Sequence, residues 1–88
     1  MTKAEWTDKL IEEGFGGIHV QKDKKNVRYP AHGHPFISAH VILEGSMTLA
    51  VDGEIIRLNV GDRYNVPKEV VHVVQIGSEG CTYLIGEK

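Results

Sequence analysis

Three histidines are the residues in this 88-residue chain whose type and spacing could do chemistry. His32 and His34 form an H-x-H pair, and His72 lies five residues beyond the segment 61–67. Because side chains alternate between the two faces of a strand, an H-x-H pair on an extended segment points both imidazoles the same way. A third imidazole from a distant strand can then close a site for a transition metal ion.

The elements that must position these histidines are mostly β-strands. From residue 16 onward the apolar residues recur with period two, and turn residues separate the runs at short intervals. Asp52 and Gly53 have the composition of a two-residue hairpin turn, and further turns are predicted at residues 44–45 and 77–80. The predicted strands include residues 36–43, 47–51, 54–58, 64–66, 70–76 and 81–85. Short strands at this spacing predict a β-sandwich or a small barrel.

One helix is predicted before the strands. Thr2 and Glu5 have the spacing of a capping box, and Gly14 is suited to end the helix in a left-handed conformation. The apolar stripe between them consists of Trp6, Leu10 and Ile11. The pattern therefore predicts a short amphipathic helix over residues 3–13, which must pack against another element to be stable.

Composition limits the architecture and the partners. A chain of 88 residues can bury one modest core, so we expect a single domain with an N-terminal helix at residues 1–15 and a β-barrel at residues 16–88. A net charge of -2 gives no electrostatic footprint for nucleic acid, and no apolar run approaches the ~20 residues that span a bilayer. The single cysteine, Cys81, and the lack of a signal-peptide pattern favour the cytoplasm.

The strand at residues 36–43 has two different faces. Ser38, His40 and Ile42 share one face, and the other consists of Ile37, Ala39, Val41 and Leu43. A wholly apolar face opposite a polar one should be covered. The helix can cover part of it, and we predict that a second subunit covers the rest in a homodimer. The alternative is that the barrel and the helix suffice.

The two histidine segments together resemble the cupins, a family of small double-stranded β-barrels with a metal site in the barrel mouth. The first cupin motif falls on Asn26, His32, His34, Ser38 and Gly45. The second motif falls on Gly61, Pro67, Glu69, His72 and Ile76. The resemblance covers about residues 16–86. It implies an all-β double-stranded β-helix, or jelly-roll barrel, in which His32, His34 and His72 hold a metal ion near a small-molecule ligand.

Three motif positions depart from the family. Asn26 replaces a glycine, which is mild because asparagine tolerates positive φ, and Glu69 replaces a glycine, which suggests a differently shaped turn before His72. Ser38 replaces the glutamate that would bind the metal. No other acid is expected at an inward strand position, and the charged residues 22–26 are interpreted as a solvated turn. The expected site is therefore three imidazoles with water, for one divalent ion of zinc, iron, nickel, manganese or copper.

His40 lies two residues beyond Ser38 on the same inward face and leaves three roles open. It could be a fourth metal ligand, a pocket base or hydrogen-bond donor to a ligand, or a pocket-lining residue satisfied by a neighbouring group. The other residues expected to line the pocket are Phe36, Ser38, Ile42, Tyr64, Val66 and Val74.

Three functions are consistent with these residues. The first is a small metal-dependent enzyme, such as an oxygenase or an isomerase, acting on a small organic molecule. The second is a module that binds or senses a small molecule without catalysis, with or without metal, as in the sugar-sensing cupin domains of some bacterial regulators. The third is a purely structural domain. Whether catalysis occurs is left open.

Overall fold

The computed structural model describes all residues, 1–88, as one helix and six antiparallel strands. The elements are α1 (Lys3–Glu12), β1 (Gly16–Asp23), β2 (Arg28–His32), β3 (Ser38–Val51), β4 (Glu54–Asn59), β5 (Arg63–Val66) and β6 (His72–Glu87). The predicted all-β class with one short N-terminal helix is confirmed. No helix is long and apolar enough to cross a membrane.

Two long strands, β3 and β6, pair with each other and each serve two sheets. Their segments 38–45 and 81–87 are flanked by β5 and β1, whereas their segments 46–51 and 72–76 are flanked by β4 and β2. Side chains from both four-stranded arrays, including Ile42 and Tyr83 from one and Leu49 and Val74 from the other, form one buried cluster. The arrays therefore face each other across a core, as in the double-stranded β-helix that the resemblance implied.

The turns predicted at residues 44–45 and 77–80 are wrong, because neither segment ends a strand. Both strands continue through these positions, and the register of β3 against β6 shifts on either side of Gly45. Gly45 and Gly80 have positive φ, +74° and +79°, and a Cβ on Gly45 would collide with the carbonyl oxygen of Gly80. These residues therefore mark a bend where two strands cross closely, and bends use the same residue types as turns.

The helix begins and ends where the sequence predicts, within one residue. The side chain of Thr2 accepts a hydrogen bond from the Glu5 amide, and the Glu5 carboxylate accepts one from the Thr2 amide. Gly14 follows the helix with φ +96°. Leu10 is fully buried, whereas Ile11 is 58% exposed. The inclusion of Ile11 in the buried stripe is therefore wrong, because one residue along a helix turns the side chain about 100° away.

The outward face of β3 is covered by this helix. Ala39 and Val41 are fully buried in a second core cluster with Leu10, Phe15 and Leu84, and Trp6, Ile18 and Ile37 pack around it. The homodimer was predicted because this apolar face needs to be covered. The chain itself covers the centre of the face. The homodimer itself stays a prediction.

An ion pair fixes the end of the helix to the barrel. Arg63 on β5 donates two hydrogen bonds to the Glu13 carboxylate, at 2.8 and 2.7 Å. The hydrogen bonds from Arg63 hold the pKa of Glu13 at about 2. The Arg63 guanidinium also lies 5.5 Å from the centre of the Phe15 ring, so it bridges the helix end and the second core cluster.

Candidate functional site

The three motif histidines meet at one end of the barrel. His32 is the last residue of β2 and His72 the first of β6, and the two are direct partners in the sheet register. His34 lies just beyond β2, where its carbonyl oxygen accepts a 2.7 Å hydrogen bond from the amide of Glu69. The ring centres of His32 and His72 are 4.2 Å apart, and that of His34 is 4.9 Å from His32 and 5.4 Å from His72. One ring nitrogen from each lies within 4.8 Å of the other two, so the set could hold a metal ion.

Hydrogen bonds fix the tautomer of two of these rings. Nδ1 of His32 lies 2.7 Å from the carbonyl oxygen of Pro30, and Nδ1 of His72 lies 3.1 Å from that of Val70. Since a carbonyl oxygen can only accept, both Nδ1 atoms must donate a proton. In the neutral ring Nε2 then keeps its lone pair, and a backbone carbonyl bonded to the second ring nitrogen is the usual way to orient a ligating histidine.

The environment of His72 favours the neutral imidazole that a metal requires. His72 is only 2% exposed. Burial lowers its pKa, and the nearby rings of His32 and His34 act in the same direction, although the hydrogen bond to Val70 opposes them. A proton on this ring would be destabilised both by the lack of water and by its neighbours.

The third ring, His34, is held by stacking instead of a hydrogen bond. The Phe36 ring lies parallel to it, with centres 4.9 Å apart and an interplanar angle of 11°. Phe36 was expected in the pocket wall; it lies before β3 and supports His34 from outside the cavity.

The donor set fits a divalent transition metal. Three imidazole nitrogens with no carboxylate match the open sites in which three protein ligands leave a position for water or substrate. Ser38 occupies the position of the missing glutamate, is 2% exposed, and lies in the lining of the adjoining cavity.

A cavity of about 170 Å³ adjoins the histidines. His32, His34 and the predicted pocket residues Ser38, His40 and Val74 line it. The predicted wall residues Ile42, Tyr64 and Val66 do not. Ile42 and Val66 are buried in the main core cluster and Tyr64 packs against it, because inward positions farther from the mouth fill the space between the two sheets.

Four further lining residues were missed from sequence: Gln21, Tyr29, Tyr83 and Ile85. Behind them lies Asp23, whose carboxylate accepts hydrogen bonds from the hydroxyls of Tyr29 at 2.8 Å and Tyr83 at 2.7 Å, and from Gln21 at 3.2 Å. The interpretation of Asp23 as part of a solvated turn is wrong, because β1 extends to it and it is half-buried. The alternation of Gln21 and Asp23 along β1 was the available signal, and the surrounding lysines obscured it.

His40 lies in the cavity wall and not in the three-histidine group. It is 4% exposed, its ring centre is 6.0 Å from that of Tyr83, and its Nδ1 is buried without a hydrogen-bond partner. Burial lowers its pKa to about 4, and the proximity of His72 adds to this. The nearby backbone of Ser38 opposes the change, although no group stands in hydrogen-bonding geometry to Nδ1.

Two motif departures keep the backbone shape of glycine. Asn26 has φ +62° and Glu69 has φ +67°, both in the left-handed region. The expectation of a differently shaped turn before His72 stays a prediction, because a φ in the glycine region fixes only one angle of this turn. Glu69 adopts this conformation at a cost.

A larger surface groove of about 690 Å³ lies elsewhere, lined by residues of the segments 22–25, 44–45 and 79–82. It contains no histidine and no cluster of metal-ligating side chains. Size alone therefore does not mark the candidate site, since the smaller cavity is the one that adjoins the histidines.

Sequence comparison places this geometry in a family. The profile of the AraC-like ligand binding domain matches residues 15–85. The chain belongs to this family. It is a small cupin domain, as the two histidine motifs indicated. A search of curated protein sequences gave no significant match.

Solved structures agree on the fold. A conserved protein of unknown function from Streptococcus pyogenes is 23% identical, with a TM-score of 0.73 over 80% of this chain and 60% of that one. A cupin-2 domain protein from Shewanella frigidimarina is 25% identical, with a TM-score of 0.70 over 80% of this chain and 67% of that one. The DMSP lyase DddQ of Ruegeria pomeroyi is 24% identical, with a TM-score of 0.74 over 81% of this chain and 36% of that one. The chain thus spans about 60% of the first of these proteins and about a third of the last.

Proposed function

We propose that this domain binds one divalent transition metal ion through His32, His34 and His72, and holds a small organic molecule beside it. The observation that supports this most is the convergence of three ring nitrogens within 4.8 Å from two separate parts of the chain. The carbonyl partners of His32 and His72 direct the remaining nitrogen of each ring away from the backbone. A bound ion would supply a Lewis acid to an organic ligand in the adjoining cavity.

The metal content of the protein tests this proposal. The protein is purified without a histidine tag, stripped with chelator, reconstituted with zinc and assayed by elemental analysis. We expect about one zinc ion per chain, and less than about 0.2 in His34→Ala, since loss of one of three ligands removes most of the affinity. His19→Ala is the matched control, because His19 is exposed on β1 and outside the cluster. Equal loss in both variants, or no zinc in the wild type, contradicts the proposal.

A second candidate is ligand binding without metal. The family is a ligand-binding one, and the cavity is lined by His40, whose buried Nδ1 has no partner in the protein. On this hypothesis the histidines would contact the organic ligand directly. Ligand binding would then persist in excess chelator and in His34→Ala, whereas the metal-dependent proposal expects both to abolish it.

Catalysis is a separate question from binding. The DMSP lyase and a W96F oxalate decarboxylase from Bacillus subtilis share the fold at 24% and 20% identity, which supports the fold and not a reaction. His40 is the group that could transfer a proton near the proposed ion, because it lines the same cavity and is held neutral by burial.

A further inference from the structure

One wall of the cavity carries a polar network that the metal proposal does not use. Tyr29 and Tyr83 line the cavity, and their hydroxyls both donate to the carboxylate of Asp23, which lies behind the lining. Burial and the bond to Asp23 raise the pKa of the Tyr83 phenol, and the bond to Asp23 raises that of Tyr29. Both phenols therefore stay protonated, and each proton is committed to Asp23.

This commitment fixes what the phenols can offer to a ligand. A phenol has one proton and two lone pairs, so a hydroxyl that already donates can only accept from another partner. Gln21 donates one amide N–H to Asp23 and keeps its second N–H and its amide oxygen. Any ligand group that meets these two hydroxyls must itself carry a hydrogen.

The rest of the lining narrows the chemistry further. No lysine or arginine lines the cavity, so the lining offers no cation to a carboxylate or phosphate at the tyrosine side. Val74 and Ile85 supply apolar wall. The volume of about 170 Å³ lies below the range of about 300–1,000 Å³ usual for drug-sized ligands, so the occupant is small.

His40 gives an independent indication that a ligand completes this cavity. Its Nδ1 is buried and has no partner in the protein, and its ring lies beside Tyr83. A buried polar atom without a partner is unfavourable for stability, so a ligand group that reached it with a hydrogen bond would be bound more favourably.

We propose that the Tyr29–Asp23–Tyr83 network is a subsite that accepts hydrogen bonds, and that the ligand is a small molecule with a hydroxyl or primary amine at this end. The opposite end of the ligand carries the oxygen or nitrogen that binds the ion held by the three histidines. Asp23 acts as a positioning residue, since it sets the direction of both phenol protons without touching the ligand. This inference rests on the proposed metal site only for the end of the ligand that binds the ion.

Paired probes test the subsite. Zinc-loaded protein is titrated, by NMR chemical shift, with short alkyl hydroxamic acids that end in a hydroxyl, an amine or a methoxy group. The hydroxamate anchors each probe to zinc, and chain lengths of about two to five carbons cover the cavity. At the length that fits, we expect the hydroxyl or amine probe to bind at least about fivefold more tightly than the methoxy probe, which corresponds to about one hydrogen bond.

Variants separate the network from the rest of the cavity. Tyr29→Phe and Tyr83→Phe should each lower the preference for the hydroxyl or amine probe over the methoxy probe to below about twofold, because the accepting oxygen is gone. Asp23→Asn should also reduce this preference, since the asparagine amide donates to one phenol and turns the proton of that phenol toward the ligand. Tyr64→Phe is the matched control and should keep the full preference, because Tyr64 does not line the cavity.

The zinc content of every sample distinguishes the two possible failures. If the wild type binds no zinc, the metal proposal fails and the zinc-anchored subsite fails with it. If zinc binds but methoxy probes bind as well as hydroxyl probes at every length, or the preference survives in both phenylalanine variants, the subsite is wrong and the metal proposal stands.

Discussion

The two faces of β3 show how one strand can be complete on one side and incomplete on the other. Ala39 and Val41 point outward and are fully buried beneath the helix with Leu10 and other apolar side chains. Ser38 and His40 alternate with them and line the cavity, where Nδ1 of His40 has no partner. All four residues are nearly inaccessible to solvent, so burial does not distinguish the two faces.

What distinguishes them is whether the protein itself satisfies the buried groups. The outward face needs only apolar contact, which the helix provides. The inward face buries polar atoms that require hydrogen bonds or a metal ion to offset the loss of water. A polar atom left without a partner is unfavourable for stability, and the one such atom here, Nδ1 of His40, belongs to a residue of the cavity that the proposed ligand would occupy.

The largest effect is expected on the covered face. Leu10→Ala should lower the free energy of unfolding by about 3 kcal/mol, because it leaves a cavity under the helix at a fully buried position. Ile11→Ala, one residue along and 58% exposed, should change it by less than about 0.5 kcal/mol. Urea denaturation followed by circular dichroism measures both, and Leu10→Val gives a milder test should the alanine variant not fold. Equal effects at the two positions would mean that the helix does not cover β3.

The three-histidine site beside the inward face of β3 should gain stability from metal. At a free zinc concentration about 100 times the dissociation constant, the wild type should gain about 2.7 kcal/mol, since the ion binds only the folded state. His34→Ala should lose most of this gain and keep its metal-free stability, because His34 lies outside the strands and is half-exposed. Thermal unfolding with zinc and with chelator measures the difference. A gain that persists in His34→Ala would place the ion elsewhere.

Acid should destabilise the metal-free protein through His40, on the inward face of β3. The pKa of His40 falls from 6.5 to about 4 on folding, so between these values the unfolded chain binds more protons than the folded one. The contribution of His40 to stability is therefore complete above pH 6.5 and is lost as the pH falls toward 4, with about 2 kcal/mol lost by pH 5. Urea denaturation at several pH values measures this, and NMR of the ring nitrogens assigns it. A His40 ring that titrates near 6.5 in the folded protein would contradict the expectation.

The meeting of His72 with His32 and His34 was predicted from the cupin resemblance. Local rules predicted the all-β class, the helix and the hairpin turn, because capping and period-two alternation are local. They failed where a position depends on distant partners. The bend at Gly45 was interpreted as a turn, since only the crossing of β6 shows that the chain continues. Asp23 was interpreted as solvated, because its partners Tyr29 and Tyr83 are 6 and 60 residues away. Ile42 and Val66 have the right parity for the pocket but lie too deep in the barrel.

The smallest expected effect is at Glu69, the turn that joins the loop of His34 to the start of β6. Glu69 has φ +67°, and its amide donates to the carbonyl oxygen of His34. Glu69→Gly should raise the free energy of unfolding by about 0.5–1 kcal/mol, because relief of roughly 1–2 kcal/mol of left-handed strain exceeds the added entropy of glycine in the unfolded chain.

Glu69→Ala is the matched control, since it removes the same carboxylate but keeps the Cβ that causes the strain. It should give no gain in stability, and zinc affinity should change less than about twofold in both variants, because the bond to His34 comes from the backbone amide. Equal stability of the glycine and alanine variants would show that the strain is not at this residue. A loss of zinc affinity in the glycine variant alone would show instead that the stiffness of this turn holds His34 in place, so that the three-histidine site depends on backbone strain.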